Sequence, residues 1–155
     1  MGFFRGEFHP MAKAFIHHRT AEFADTDMAG LVHFSNIFRY AESAETALFS
    51  HLGHPILEDD GQYERGWPRV RASARFHHPI LFGDRMEIRL ELQEIKIRAL
   101  CWKARLLVRD SLAATVEWTT CHVSRPRGAP GKMEARGIPP ALLDKLSAYA
   151  ERLET

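Results

Sequence analysis

The strongest constraint in this sequence is a change of period at Pro68, after which apolar and polar residues alternate in four successive rows. Val70, Ala72, Ala74 and Phe76 alternate with Arg69, Arg71, Ser73 and Arg75, and Met86, Ile88, Leu90 and Leu92 alternate with Arg85, Glu87, Arg89 and Glu91. Leu100, Trp102, Ala104, Leu106 and Val108 make a third row, and Ala114, Val116 and Trp118 begin a fourth. Successive side chains of a strand point to opposite faces, so each row has one wet face and one dry face. Gly83-Asp84 and Arg109-Asp110-Ser111 supply turns between rows. Such a set predicts an antiparallel sheet covered on one side.

The cover comes from the segment before the sheet. Ser35-Asn36 offers helix-starting side chains, and the run to Leu52 is rich in helix formers and stops at Gly53, the usual residue beyond a helix end. Ile37, Tyr40, Ala41, Ala44, Ala47, Leu48 and Leu52 recur at helical spacing, and the small alanines suit close packing on a sheet. Upstream, residues 14–23 read as a first strand, with Phe15, Ala21 and Phe23 on one phase and Ile16 on the other, which leaves the core face open. Residues 57–66, with Glu58-Asp59-Asp60-Gly61, read as a loop, and residues 124–137, rich in Pro, Gly and basic residues, as a linker. A last helix starts at Pro139-Pro140 and carries Leu142, Leu143, Leu146, Tyr149 and Leu153 on one side. The expected organisation is an N-terminal extension (1–12), one α+β domain (13–124), a linker (125–138) and a helix (139–155) packed on the same domain. Met11 is an alternative start to Met1.

Composition excludes more than it identifies. The 155 residues suit one domain, and 21 Lys+Arg against 20 Asp+Glu leave a net charge of +1, too even for a dedicated nucleic-acid binder. No apolar stretch approaches the roughly 18–20 residues that span a bilayer. Met1 to Lys13 is interrupted by Arg5, Glu7, His9 and Pro10, unlike a signal peptide. Two cysteines, Cys101 and Cys121, are too sparse for a disulfide scaffold, so reduced thiols and a cytoplasmic location are expected.

No G-x-S-x-G, P-loop, G-x-G-x-x-G or H-E-x-x-H is present, which argues against serine hydrolysis and nucleotide chemistry. His17-His18 and His77-His78 are neighbours in expected strands and point to opposite faces, so neither pair chelates one ion. No metal or other cofactor is expected. The dense cluster is Asp25-Thr26-Asp27-Met28-Ala29-Gly30-Leu31-Val32-His33-Phe34-Ser35-Asn36, between the first strand and the long helix. It opens like a calcium loop but has Ala29 at the fifth position and Asn36 where the bidentate Glu belongs. Aspartates also serve plain turns by binding nearby backbone N–H groups. The helix start just downstream of these two suggests chemistry as well. Such a start carries unpaired N–H donors and about half a positive charge, which polarise a carbonyl and hold an oxyanion. A carboxylate beside it, Asp27, can attack an activated ester or deprotonate water.

That segment resembles the signature of the 4-hydroxybenzoyl-CoA thioesterase family, including the Tol-Pal-associated thioesterases: D-x-D-x-x-G, a hydrophobic residue, Val, aromatic positions, then Asn or Ser. The resemblance continues through Arg75-Phe76-His77-His78-Pro79-Ile80-Leu81-Phe82-Gly83-Asp84 and covers roughly residues 16–122. It implies a hotdog fold, an antiparallel sheet wrapped around one long central helix, in homodimers or homotetramers with sites at the dimer interface. It implies an acyl-CoA thioesterase in which Asp27 is the catalytic carboxylate, nucleophile or general base, and the Phe34 backbone N–H holds the thioester oxygen. His33 stands at an aromatic position of the pattern and is a further catalytic candidate, or else a packed ring at the helix start, and Phe34 offers no side chain matching the histidine of some relatives. Asp25 is the more structural of the two aspartates.

A coenzyme A thioester, or its acyl-carrier-protein counterpart, brings phosphates that ask for basic side chains. Lys96 and Arg98 stand where some relatives carry a basic run, here interrupted by Ile97, while Arg71 and Arg75 lie on the polar phase of their strand. Arg125, Arg127 and Lys132 fall in the linker. Trp67, next to Pro68, is a candidate border of the acyl pocket. Two competing readings are a hotdog module that binds acyl thioesters without turnover and a hotdog dehydratase or hydratase. The latter places an acid on the helix, where Glu42 and Glu45 lie, but its His-containing loop is absent; Glu42 reads as a helix-surface or interface residue.

Overall fold

The computed structural model describes residues 13–154, so the expected extension at 1–12 lies outside the described residues, as does the Leu153 side chain. The elements are β1 (Phe15–Thr20), α1 (Phe34–Leu52), β2 (Glu58–Asp59), β3 (Tyr63–Gly66), β4 (Arg69–Phe76), β5 (Arg85–Ile95), β6 (Ala99–Val108), β7 (Ser111–Cys121), β8 (Val123–Pro126), β9 (Glu134–Ala135) and α2 (Pro140–Glu154). The four alternating rows are β4 to β7. With β1 they form one sheet in the order β1-β5-β6-β7-β4, every pair antiparallel.

Helix α1 lies on the dry face, against β1, β5 and β7. It buries Ile37, Tyr40, Ala41, Ala44, Leu48 and Phe49 over Met86, Ile88, Leu90, Leu92, Leu100 and Trp102. Each large apolar side chain buried this way contributes about 1.5–3 kcal/mol. The helix ends at Gly53, whose φ of 65° is left-handed and free of strain only for glycine. An antiparallel sheet around one long helix is the hotdog arrangement that the resemblance implies.

Strand β4 departs from its one-wet, one-dry pattern. Its apolar phase faces the helix side, but β4 is the sheet edge, which α1 covers only in part, so Val70 is 65% and Phe76 55% exposed. A register shift between Arg69 and Arg71 also turns Arg69 from the wet phase toward α1. In β1 the inward residues are Phe15, His17 and Arg19, which settles the open phase; the strand stops at Thr20, and Phe23–Asp25 forms a 3-10 turn.

Two expected loops are corrected. Residues 57–66 contain β2 and β3, and the expected linker contains β8 and β9; together they build a second sheet in the order β2-β3-β8-β9. Glu64 and Arg125 pair across it at 2.8 Å. Strands of two to four residues show too few alternations for a period to emerge from the sequence. Helix α2 returns over α1 with Leu142 and Leu146 fully buried, and Lys145 Nζ donates to the carbonyl of Gly53 at 2.8 Å. Among the described residues no helix is long and apolar enough to cross a membrane.

Candidate active site

The loop between β1 and α1 is organised by its first aspartate. The Asp25 carbonyl accepts from His33 N–H and from Asn36 Nδ2, each at 2.8 Å, and its carboxylate accepts from Tyr40 Oη at 2.6 Å and Glu22 N–H at 2.9 Å. Burial alone would raise the Asp25 pKa, but the Tyr40 and Glu22 hydrogen bonds, with Arg19 and Arg39 nearby, hold it below the usual carboxylate value. Burial and the same bond push the Tyr40 phenol up. Asp25 therefore ties the loop to the first two turns of α1, a structural duty.

Asp27 sits at the exposed turn of this loop. Its Oδ1 accepts from Ala29 N–H at 2.8 Å and Leu31 N–H at 3.3 Å, while its backbone N–H donates to Leu31 O at 2.7 Å. Gly30, at a φ of 75°, closes the turn. Oδ2 accepts no hydrogen bond among the described residues. One oxygen thus fixes the carboxylate and the other faces outward. Thr26–Val32 and Leu31–Leu81 bridges hold the loop against the sheet end.

Helix α1 begins at Phe34, whose N–H donates to no group among the described residues. His33 caps the helix: its Nδ1 accepts from Ser35 N–H at 3.3 Å and lies 2.8 Å from Ser35 Oγ, and its ring packs 4.6 Å from that of Phe34. Ser35-Asn36, expected to start the helix, lie inside its first turn. Beside Phe34 is a hollow of about 330 Å³, walled by Leu31, Val32, Phe34, Ile37, Phe76, His77, His78, Pro79, Ile80 and Ala114. Asp27 meets its rim through Leu31.

The structure brings Asp27, His33 and Phe34 to one end of the sheet, with His77 and His78 in the same wall. Those histidines are not strand neighbours as expected; they follow β4, and both backbone N–H groups donate to Ala113 O. The remaining candidates lie elsewhere. Lys96 and Arg98 are at the β5–β6 turn, Arg98 eight residues along the chain from Leu106, which pairs with Ala114, or about 26 Å. Trp67 is 8% exposed and packs on His122 and Phe49 at 4.8 and 5.8 Å, inside the core and away from the hollow. Arg71 points out on the wet face of β4. Among the described residues no group of three or more His, Cys, Asp or Glu could hold a metal ion.

A second carboxylate has a role that the sequence reading missed. Glu45, on the sheet-facing side of α1, is fully buried; its Oε2 accepts from Trp118 Nε1 at 2.7 Å and Arg69 Nη2 at 2.9 Å, and its Oε1 has no partner. Arg69 also reaches the exposed Glu42 at 3.3 Å, so Glu42 is a helix-surface residue as expected. Burial pushes the Glu45 pKa up to about 7, helped by Glu42 and opposed by Arg69 and Trp118. A signal was available: Glu45 lies four residues after Ala41 and three before Leu48, on the apolar stripe.

Comparison with known proteins gives a consistent picture. The description "Thioesterase-like superfamily" matches residues 21–146. A 1,4-dihydroxy-2-naphthoyl-CoA hydrolase of Thermosynechococcus vestitus is 32% identical over 77 residues, 50% of this chain and 53% of that protein. The chain thus spans about half the length of that curated relative. A solved gentisyl-coenzyme A thioesterase superposes with a TM-score of 0.71 at 24% identity, over 83% of this chain and 99% of its own. A 1,4-dihydroxy-2-naphthoyl-CoA thioesterase from Synechocystis gives 0.74 at 20% identity, over 86% and 96%. At these identities the two structures speak for the fold.

Proposed function

The chain belongs to the thioesterase-like superfamily, and from that premise we propose that it is an acyl-CoA thioesterase, hydrolysing an acyl- or aryl-CoA to the free acid and CoA. The observation that carries this reading is the pairing of an outward carboxylate oxygen on Asp27 with an uncommitted N–H on Phe34, beside a hollow walled by rings. The thioester carbonyl oxygen takes the Phe34 N–H, where helix-start donors stabilise the charge that develops on it. Asp27 then either adds to the carbonyl carbon, expelling CoA thiolate to leave a mixed anhydride that water cleaves, or takes a proton from water that adds directly. His33 uses Nδ1 to cap the helix and offers substrate only its Nε2.

The rings of Phe34, Phe76, His77 and His78 in the hollow favour an aryl over a long alkyl group. The hydrolase of Thermosynechococcus vestitus and the gentisyl-CoA thioesterase act, by their names, on hydroxylated aryl-CoA esters, which agrees; 4-hydroxybenzoyl-CoA belongs to the same class. The uncovered apolar row Val70, Ala72 and Phe76 on the free edge of β4 supports a homodimer joined at that edge, or a tetramer of two such pairs. The two free thiols suit a reducing, cytoplasmic setting.

A non-catalytic binder is the second reading, favoured by the turn bonds of Asp27 Oδ1, which a structural aspartate would also make. Hydrolysis of aryl-, short-chain and long-chain acyl-CoAs by wild type and Asp27→Asn separates the two. The amide keeps the Oδ1 acceptor, so the loop persists while turnover falls about 10³-fold. Wild type without turnover on any ester would leave only the binder.

A further inference from the structure

A second hollow, of about 490 Å³, opens on the wet face of the main sheet. Its wall carries Arg71, Ser73 and Arg75 from β4 and Lys103 and Arg105 from β6. Lys103 pairs with Glu117 at 3.2 Å and Arg105 pairs with Glu91, so four cations face two carboxylates. Arg71 and Arg75 pair with no carboxylate among the described residues. They stand four residues apart on one phase of β4, about 13 Å, with the Ser73 hydroxyl between them. In a chain of net charge +1 this local excess is a pronounced departure.

His77 belongs to the wall of both hollows, and its Nε2 lies 3.3 Å from Thr115 Oγ1 in the cationic one. The apolar hollow at Phe34 and the cationic hollow thus meet around the end of β4. A ligand with an apolar acyl group at one end and several phosphates at the other matches that sequence of surfaces. Arg75 is two residues from His77, about 7 Å along the chain, and Arg71 about 20 Å. Lys96 and Arg98 sit at the opposite end of the protomer's sheet, and Lys96 faces Glu94 at 3.9 Å.

We propose that the wet-face hollow holds the phosphates of the CoA nucleotide, with Arg71 and Arg75 as the uncompensated cations and His77 at the passage to the acyl hollow. The inference rests on the thioesterase reading for its choice of ligand. Arginine forks suit phosphate oxygens, and the hydroxyl of Ser73 adds a donor. A charge-assisted hydrogen bond on a partly exposed site corresponds to about a tenfold change in affinity per arginine, shrinking as salt rises.

The test compares Arg71→Gln with Arg75→Gln, combined, against wild type on an aroyl-CoA thioester and on the matching S-aroyl-N-acetylcysteamine, which has no phosphate. KM for the CoA ester should rise about 100-fold at low salt with kcat within about twofold, the product of two such losses, while kcat/KM for the short ester stays put. An unchanged KM for the CoA ester, or equal losses on both esters, overturns the proposal. So does a KM that responds to Lys96→Ala with Arg98→Ala and not to the arginine pair. Calorimetric titration with adenosine 3′,5′-bisphosphate needs no turnover. Saturable binding, retained in Asp27→Asn and lost in the double variant, supports the hollow even if no thioester is cleaved; no binding to wild type sinks it.

Discussion

Two carboxylates flank or line helix α1, and their settings are opposites. Asp27 stands before its first turn in an exposed loop, one oxygen fixed by backbone N–H groups and the other open. Glu45 stands three turns along it, sealed under the sheet with a guanidinium and an indole on one oxygen. Exposure leaves Asp27 reachable; burial makes Glu45 hard to ionise and impossible for a substrate to meet without opening the core. A perturbed acid is often taken as the sign of a catalytic site. Here the perturbed one is the fastener, joining α1 to β4 and β7, and the exposed one is the candidate catalyst.

The sharpest way to break this contrast is to separate activity from stability. Asp27→Asn should remove about three orders of magnitude of turnover and move the melting temperature by no more than about 1 °C, a surface change that keeps its hydrogen bonds; a large loss of stability would make Asp27 a structural residue. Glu45→Ala, measured at pH 6, should do the reverse. It strands the Trp118 indole N–H in the core and leaves a void, costing about 3 kcal/mol, roughly 10 °C, while kcat of the folded enzyme changes less than about threefold.

A pH series refines the same point. The Glu45 pKa is raised from 4.5 to about 7 on folding, so the native state holds the proton more tightly. Its stabilising contribution is complete below pH 4.5 and is lost as pH rises through 7, up to about 3 kcal/mol in all. Chemical denaturation between pH 5 and 8 should show that decline in wild type and its loss in Glu45→Gln, in which the lowered pKa values of His17 and His54 leave stability rising with pH. The smallest effect concerns the tie between loop and helix. Tyr40→Phe removes the bond to Asp25 and should cost about 1 kcal/mol, raise the Asp25 pKa and lower turnover a few fold through a looser loop, read by denaturation and steady-state kinetics.

Legibility in the sequence followed the length of the repeating pattern. Strands β5, β6 and β7 run ten or eleven residues and announce themselves by period two; α1 runs nineteen and ends on a glycine. The second sheet, of strands two to four residues long, does not, because pairing across sixty residues leaves no local trace: Glu64 and Arg125 are unremarkable until they meet. At the site, Asp27 and Phe34 were visible as a motif of nearby positions. His77, in both hollows, was visible only as a histidine, since its place depends on how β4 ends against β7.

By itself the sequence determined the covered antiparallel sheet, the helix that covers it and the loop where carboxylate and helix start come together, all of which rest on local periodicity and neighbouring residues. Tertiary structure alone decided that Arg69 turns inward to a buried glutamate, that Trp67 serves the core, that β4 is left with its apolar phase in water, and that four basic residues from two strands share one hollow. These depend on register and on which strand the helix leaves largely uncovered, and β4 slipped by one residue would exchange its wet and dry phases.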